Sequence, residues 1–316
     1  MIDAAQRICS LLPSATEIVY ALGLGDRLVA VTHECDFPSE ARSKPHVTSS
    51  VVDGAELTAA EIDRAVRENL VEQATIYHLD RELLERLRPD LILTQELCDV
   101  CAVGRSEVQD VVAALSFPIN VLSLEPATLQ EVLDSLVLVG RFTGAMRRAI
   151  EARDRLMDRL QRVREAVAGR ETVAVLCLEW MDPVFSGGHW VPEMVEVAGG
   201  NDVAGEAGKP SREVSWEEIA LSKPDVIIAM PCGFGLDRAE RELTVVPLPP
   251  AWHDLPAVRN GRVYAVDGSS YFNRPGPRLV DGVEILAAIL HPDAWSTAPL
   301  ESFRKVPLGA GRRSSS

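Results

Sequence analysis

The sequence predicts an α/β protein built as two Rossmann-like lobes joined by a long rigid helix. Three observations lead there. Short apolar runs alternate with amphipathic stretches along the chain, which is how parallel strands covered by helices read. Residues 128–169, TLQEVLDSLVLVGRFTGAMRRAIEARDRLMDRLQRVREAVAG, keep a helical apolar period without a proline. Finally, ELLERLRPDLILTQELC in the first half is echoed by SWEEIALSKPDVIIAMPC in the second. Each reads as a short helix, a basic residue, Pro-Asp, an apolar strand and a polar loop bearing cysteine.

The elements follow in order. RICSLL reads as a strand, and Ser14-Ala-Thr-Glu17 as a capping box opening a helix that ends at Gly23. RLVAVT is the second strand. Thr58-Ala-Ala-Glu61 opens another helix, Arg81 to Leu87 forms a short one, and Asp90–Leu93 and INVLSL complete the first sheet. The stretch 128–169 predicts either one strut roughly 55 Å long at 1.5 Å per residue or two helices bent near Gly140. Beyond it come the strand TVAVLCL, a helix from Pro192 to Ala198, and a capping box at Ser215–Glu218. The strands DVIIAM and GRVYAVD and a helix from Arg278 to Leu290 follow. The expected organisation is an N-terminal α/β lobe at 1–126, a connecting helix at 127–169, a C-terminal α/β lobe at 170–301 and a disordered tail at 302–316.

Composition excludes several functions. A formal net charge of −15 argues against nucleic acid and anionic membrane as partners, since both select clustered positive charge. No apolar run is long enough to be a transmembrane segment. The first residues, MIDAAQRICSLLPSATE, lack a basic region followed by an apolar segment and a small-residue cleavage site. A cytoplasmic location is therefore expected, or a periplasmic or extracellular one if the start is incomplete. Six cysteines in a reducing compartment point to burial, metal binding or catalysis rather than disulfides.

ICSLLPSATEIVYALGLGDRLVAVT, RPDLIL, LVGRFTG and VRNGRVYAVDG resemble the substrate-binding proteins of ABC importers for iron complexes and cobalamin. The resemblance reaches to about His291 and is nearest to the cobalamin-type members. It implies a class III periplasmic-binding-protein-like fold. It also implies binding of a siderophore, haem or corrinoid in the interlobe cleft, with an ABC permease as partner. This chain departs from that pattern in showing no export signal and in its cysteines.

Cys35 follows the second strand, Cys98 and Cys101 follow DLIL, and Cys232 follows DVIIAM. All four are expected at strand carboxyl ends, where open parallel sheets bind ligands. Four soft thiolates suit zinc or an iron–sulfur cluster. The alternatives are small packing residues, a redox pair, or direct thiolate ligation of a ligand's metal. Asp99 between two thiols disfavours the redox pair, because a neighbouring negative charge raises a thiol pKa. Cys9 and Cys177 lie inside apolar strands and read as core.

CLEWMDPVFSGGHWVPEMVEVAGG places Glu179, Trp180, His189 and Trp190 in loops, where aromatic faces and an axial histidine suit a corrin or porphyrin. Gap-filling tryptophans and a loop histidine would explain the same residues. GSSYFNRPGPRLVDG adds Tyr271, Phe272 and Arg274 as rim contacts or as a rigid turn before the last helix. Pro13 and Ser14, at the start of the first helix, and His33 and Glu34, beside Cys35, complete the candidate ligand-binding set. No catalytic residue is assigned, since no hydrolase elbow, phosphate loop or His-Glu-x-x-His pattern is present. The leading reading is a carrier for a corrinoid or another metal-containing small molecule. The alternative is a cytoplasmic metalloenzyme or iron–sulfur or zinc protein on the same fold.

Overall fold

A computed structural model describes residues 4–50, 57–73, 77–95, 105–298 and 301–307. These divide into two compact units. Unit 1 comprises Met1–Pro126 and Gln130–Met157, and unit 2 comprises Ala127–Leu129 and Asp158–Ser316.

In unit 1, strand β1 (Ile8–Ser10) leads into helix α1 (Pro13–Ala21), then β2 (Leu28–Val31) and β3 (Thr48–Ser50). Helix α2 (Ala59–Gln73), β4 (Tyr77–Leu79), α3 (Arg81–Leu87), β5 (Leu91–Thr94), α4 (Arg105–Ala113) and β6 (Asn120–Ser123) follow. Four strands form a parallel sheet in the order β2-β1-β5-β6, while β3 and β4 make a separate antiparallel ribbon. One face of the sheet is covered by α1, with Ile18, Val19 and Leu22 fully or almost fully buried. The other buries Cys9, Ile92 and Leu84.

The stretch 127–169, expected as one long rigid helix, is instead two helices, α5 (Leu129–Thr143) and α6 (Met146–Val167). The break falls at Gly144, whose φ of +68° is a left-handed conformation that glycine takes without a Cβ clash. Gly140, where a bend was expected, stays helical, and a Cβ there would lie 2.4 Å from the Ala149 methyl. Of the 22 residues of α6, those to Met157 belong to unit 1 and the rest to unit 2. Within unit 2, Arg159 of α6 pairs with Glu284 at 2.8 Å and Asp281 at 2.5 Å.

Unit 2 begins with β7 (Val173–Met181), β8 (Val184–Ser186), α7 (Val191–Val197), β9 (Gly200–Asp202) and α8 (Trp216–Ser222). It continues with β10 (Val226–Ala229), α9 (Leu236–Val245), α10 (Pro256–Arg259), β11 (Val263–Val266), α11 (Gly268–Tyr271), α12 (Leu279–Leu290) and β12 (Phe303–Lys305). Its sheet runs β12-β11-β10-β7-β8, with β9 also paired to β7. The central β7, β10 and β11 are parallel. Residues 303–305, expected in a disordered tail, instead form the antiparallel edge strand β12, with Val306 buried behind it.

Two expected capping boxes are present. The Thr58 amide donates to Glu61 at 2.8 Å, and Ser215 and Glu218 cap reciprocally. The one expected at Ser14 is absent. Helix α1 starts at Pro13, with Leu12 as its uncapped N-cap, because proline's fixed φ favours the first helical position.

Candidate functional site

The candidate residues of unit 1 lie beyond the carboxyl ends of β1 and β2. Pro13 and Ser14 open α1 and are buried. Helix geometry leaves the Ser14 and Ala15 amides without an intrahelical acceptor. Thr16 donates to Ser10 Oγ at 2.8 Å and lies 3.1 Å from Cys35 Sγ. Cys35 is 2% exposed and packs within the core of unit 1. That is the small-packing-residue alternative, and its physical reason is the tight turn from Thr32 O to the Cys35 amide at 3.2 Å.

His33 and Glu34 contact Thr48 and Tyr77. His33 Nδ1 lies 2.8 Å from Thr48 Oγ1, which also accepts from the His33 amide at 3.2 Å. The imidazole centroid is 5.8 Å from the ring of Tyr77, whose hydroxyl reaches Glu34 Oε1 at 3.5 Å. Thr48 and Tyr77 come from the β3–β4 ribbon. Sequence reasoning missed both, because strands reading TSS and YHL carry almost no hydrophobic period.

In unit 2, Glu179 and Trp180 belong to β7 rather than to a loop, and Trp180 pairs with Phe185 of β8. Glu179 is a clasp. Its Oε1 accepts from the Gly188 amide at 3.1 Å and its Oε2 from the Ser211 hydroxyl at 2.6 Å. Gly187 and Gly188 serve this internal packing, since a Cβ on Gly188 would lie 2.2 Å from the Ser211 amide nitrogen. The His189 amide donates to Lys209 O at 2.5 Å, and its carbonyl accepts from Gly208 at 2.9 Å. These bonds hold His189 at φ +50°, a conformation that costs a residue with a Cβ about 1–2 kcal/mol. Burial lowers the His189 pKa, which favours the neutral imidazole.

Trp190 and Phe272 do not fit the ligand-contact expectation. Trp190 is buried and its indole donates to Phe272 O at 2.7 Å, while Phe272 is 0% exposed. They pin the turn before α12 to α7. Tyr271 and Arg274 are half-buried, and the Arg278 guanidinium sits 5.7 Å from the Tyr271 ring. Trp180 presents a different feature. Its ring lies 5.3 Å from Phe234, which carries Arg238 at 3.7 Å on its own face. The Trp180 indole N–H is buried with no acceptor among the described residues, an arrangement that costs about 1–3 kcal/mol unless a partner arrives.

The four-thiol site is not assembled in what the structure describes. Cys98 and Cys101 lie outside the described residues, Cys35 is in the core, and Cys232 is exposed. Among the described residues, no group of three or more His, Cys, Asp or Glu side chains is placed to hold a metal ion. The zinc, iron–sulfur and metalloenzyme readings therefore gain no support.

The family description of periplasmic binding proteins matches residues 8–269. The chain belongs to the periplasmic binding protein family. A vitamin B12-binding protein of Vibrio cholerae is 25% identical over 90% of this chain and 89% of its own length. An ABC transporter substrate-binding lipoprotein of Bacillus subtilis is 27% identical over 92% of this chain and 81% of its own length. The crystal structure of the periplasmic vitamin B12 binding protein BtuF of Vibrio cholerae superposes with a TM-score of 0.65 at 25% identity, covering 90% of this chain and 96% of that one. The two-lobed class III fold is thus the family's fold.

These relatives overturn the cytoplasmic expectation. One is periplasmic and another a lipoprotein of an ABC transporter, so family membership points away from the cytoplasm. No helix among the described residues is long and apolar enough to cross a membrane.

Proposed function

We propose that this periplasmic binding protein carries a corrinoid of the vitamin B12 class and presents it to an ABC permease. The observation that carries the reading is the likeness to a vitamin B12-binding protein across nine-tenths of the chain. The chemistry of the two units is compatible with it. Unit 1 offers His33, Glu34 and the opening amides of α1 at its strand ends. Unit 2 offers the Trp180–Phe234–Arg238 stack. A corrin is large, flat and rimmed with amides, so it gains from aromatic faces and from polar groups at its edge.

Equilibrium dialysis against cyanocobalamin, haemin and a ferric hydroxamate siderophore tests the reading. Saturable one-to-one retention of cyanocobalamin, at least roughly tenfold tighter than of the other two, is expected. Retention of haemin or the siderophore alone would replace the corrinoid as ligand.

A further inference from the structure

We infer that His33 Nε2–H and the Glu34 carboxylate form a donor–acceptor pair that reads a primary carboxamide on the rim of the bound corrinoid and discriminates against a carboxylate in its place. This rests on the corrinoid reading above and assigns it a specificity-determining pair in unit 1.

Thr48 sets the donor. Its Oγ1 accepts from the His33 amide at 3.2 Å and lies 2.8 Å from His33 Nδ1. The Thr48 hydroxyl proton goes to Nδ1, so the neutral ring carries its own hydrogen on Nε2. A protonated ring carries one there too. Nε2–H is therefore a donor in either charge state, and it has no hydrogen-bond partner among the described residues. Thr48 is 7% exposed, and Tyr77, 8% exposed, packs beside the imidazole with 5.8 Å between ring centroids. A ring held at Nδ1 and along one side loses little rotamer freedom when a ligand arrives.

The acceptor comes from the next residue. Glu34 is exposed, and its amide donates to Thr32 Oγ1 at 2.9 Å, which fixes the backbone between the two side chains. Glu34 Oε1 lies 3.5 Å from the hydroxyl of Tyr77, the residue that also flanks the imidazole. One tyrosine thus has the donor ring beside its own ring and the carboxylate at its hydroxyl. A carboxylate has about four lone-pair sites, so this contact leaves Glu34 further acceptor capacity. Both residues follow β2 directly after Thr32, beyond the carboxyl end of a parallel strand, where open α/β sheets bind ligands.

The pair selects its partner by chemistry. A primary amide accepts through its oxygen and donates through its NH2, so it satisfies both groups at once. A carboxylate satisfies Nε2–H alone and sets its second oxygen against the Glu34 charge, a repulsive element that works against the wrong ligand. The corrin rim carries primary amides, whereas the haem rim carries carboxylates. The pair therefore favours the fully amidated corrin over haem and over a hydrolysed corrin.

Equilibrium dialysis of the full-length protein against cyanocobalamin and its b-, d- and e-monocarboxylic acids, each with one rim amide hydrolysed, tests the pair. Wild type is expected to bind at least one of the three acids roughly tenfold more weakly than cyanocobalamin. Glu34→Gln is expected to keep its affinity for cyanocobalamin and to bind that acid within about twofold of it, because the glutamine amide donates to a carboxylate instead of repelling it. His33→Ala is expected to bind cyanocobalamin roughly tenfold more weakly and to keep the discrimination. Saturable one-to-one binding by both variants shows that they are folded. Equal binding of all four ligands by wild type, discrimination that survives Glu34→Gln, or unchanged cyanocobalamin affinity in His33→Ala overturns the pair and leaves the corrinoid reading standing. Failure of wild type to bind cyanocobalamin overturns both.

Discussion

Arg88 and Lys223 hold the same backbone conformation, φ 47° and ψ 58°, each at the carboxyl end of a short helix and each followed by Pro-Asp. The aspartates after them also play one part. Asp90 accepts from the Gln6 amide at 2.9 Å and the Arg7 amide at 3.0 Å, at the start of β1. Asp225 accepts from the Ala174 amide at 3.2 Å, at the start of β7. The Asp90 and Asp225 amides return the bond to Arg7 O and Ala174 O, both at 2.8 Å. The two units therefore share one helix–strand joint, in which a left-handed residue turns the chain and an aspartate pins the neighbouring strand.

This joint makes opposite predictions for its two residues. Arg88→Gly and Lys223→Gly should each stabilise by about 0.5–1 kcal/mol, because glycine removes the Cβ strain of the left-handed turn. Asp90→Ala should cost about 1–3 kcal/mol, since two strand-edge amides lose a charged acceptor. Urea titrations of the four proteins decide it. Destabilisation by either glycine would contradict the account of the turn.

Asp202 sets a pH dependence. Its Oδ1 accepts from Ala204 and Gly205 at 3.1 and 2.9 Å, while the buried Oδ2 has no N–H or O–H donor among the described residues. Burial pushes its pKa up to about 6. A carboxyl whose folded-state pKa exceeds its unfolded one contributes stability below the unfolded value, and that contribution is lost as pH rises through the folded value. Stability from this group should fall between about pH 4 and 6. Asp202→Asn should flatten that slope and stabilise the protein at pH 7.5 by up to about 3 kcal/mol. Thermal melts of both proteins across pH 4–8 check it.

Gly188→Ala should displace the 209–212 segment or destabilise unit 2 by at least about 2 kcal/mol, because its Cβ would meet backbone, Ser211 N at 2.2 Å and Pro210 C at 2.7 Å. Hydrogen exchange at the amides of Gly188 and His189 would report the loosened clasp. An unchanged stability and exchange pattern would show that this close approach is not a constraint.

Thiol chemistry should separate the described cysteines. Burial raises the thiol pKa of Cys9 and of Cys177, and Cys35 is buried against Thr16. Cys232 is exposed. Peptide mapping after alkylation of native protein should find Cys232 modified and Cys9, Cys35 and Cys177 protected.

The sequence showed much of the scaffold and less of the site. The strands around Ile8, Leu28, Leu91, Val226 and Val263 were legible as short, mostly apolar runs bounded by polar or turn residues. Thr58 and Ser215 were legible as caps. Ser14 was misread because Pro13 takes the first helical position and leaves no side chain to cap it. Glu179 and Trp180 were placed in a loop because the antiparallel partner β8, three residues of VFS, is too short to announce a hairpin. Trp190 and Phe272 carried the residue types of a ligand platform, yet they bond and pack with each other, a long-range pairing that no local pattern encodes. The Thr48 support for His33 was invisible for the same reason, being supplied across fifteen residues by a polar strand.

Isothermal titration calorimetry with cyanocobalamin tests the corrinoid assignment most directly. A single site per chain with Kd of about 1 μM or tighter is expected. No saturable heat up to a cyanocobalamin concentration of about 100 μM, with the protein shown to be folded, would contradict it.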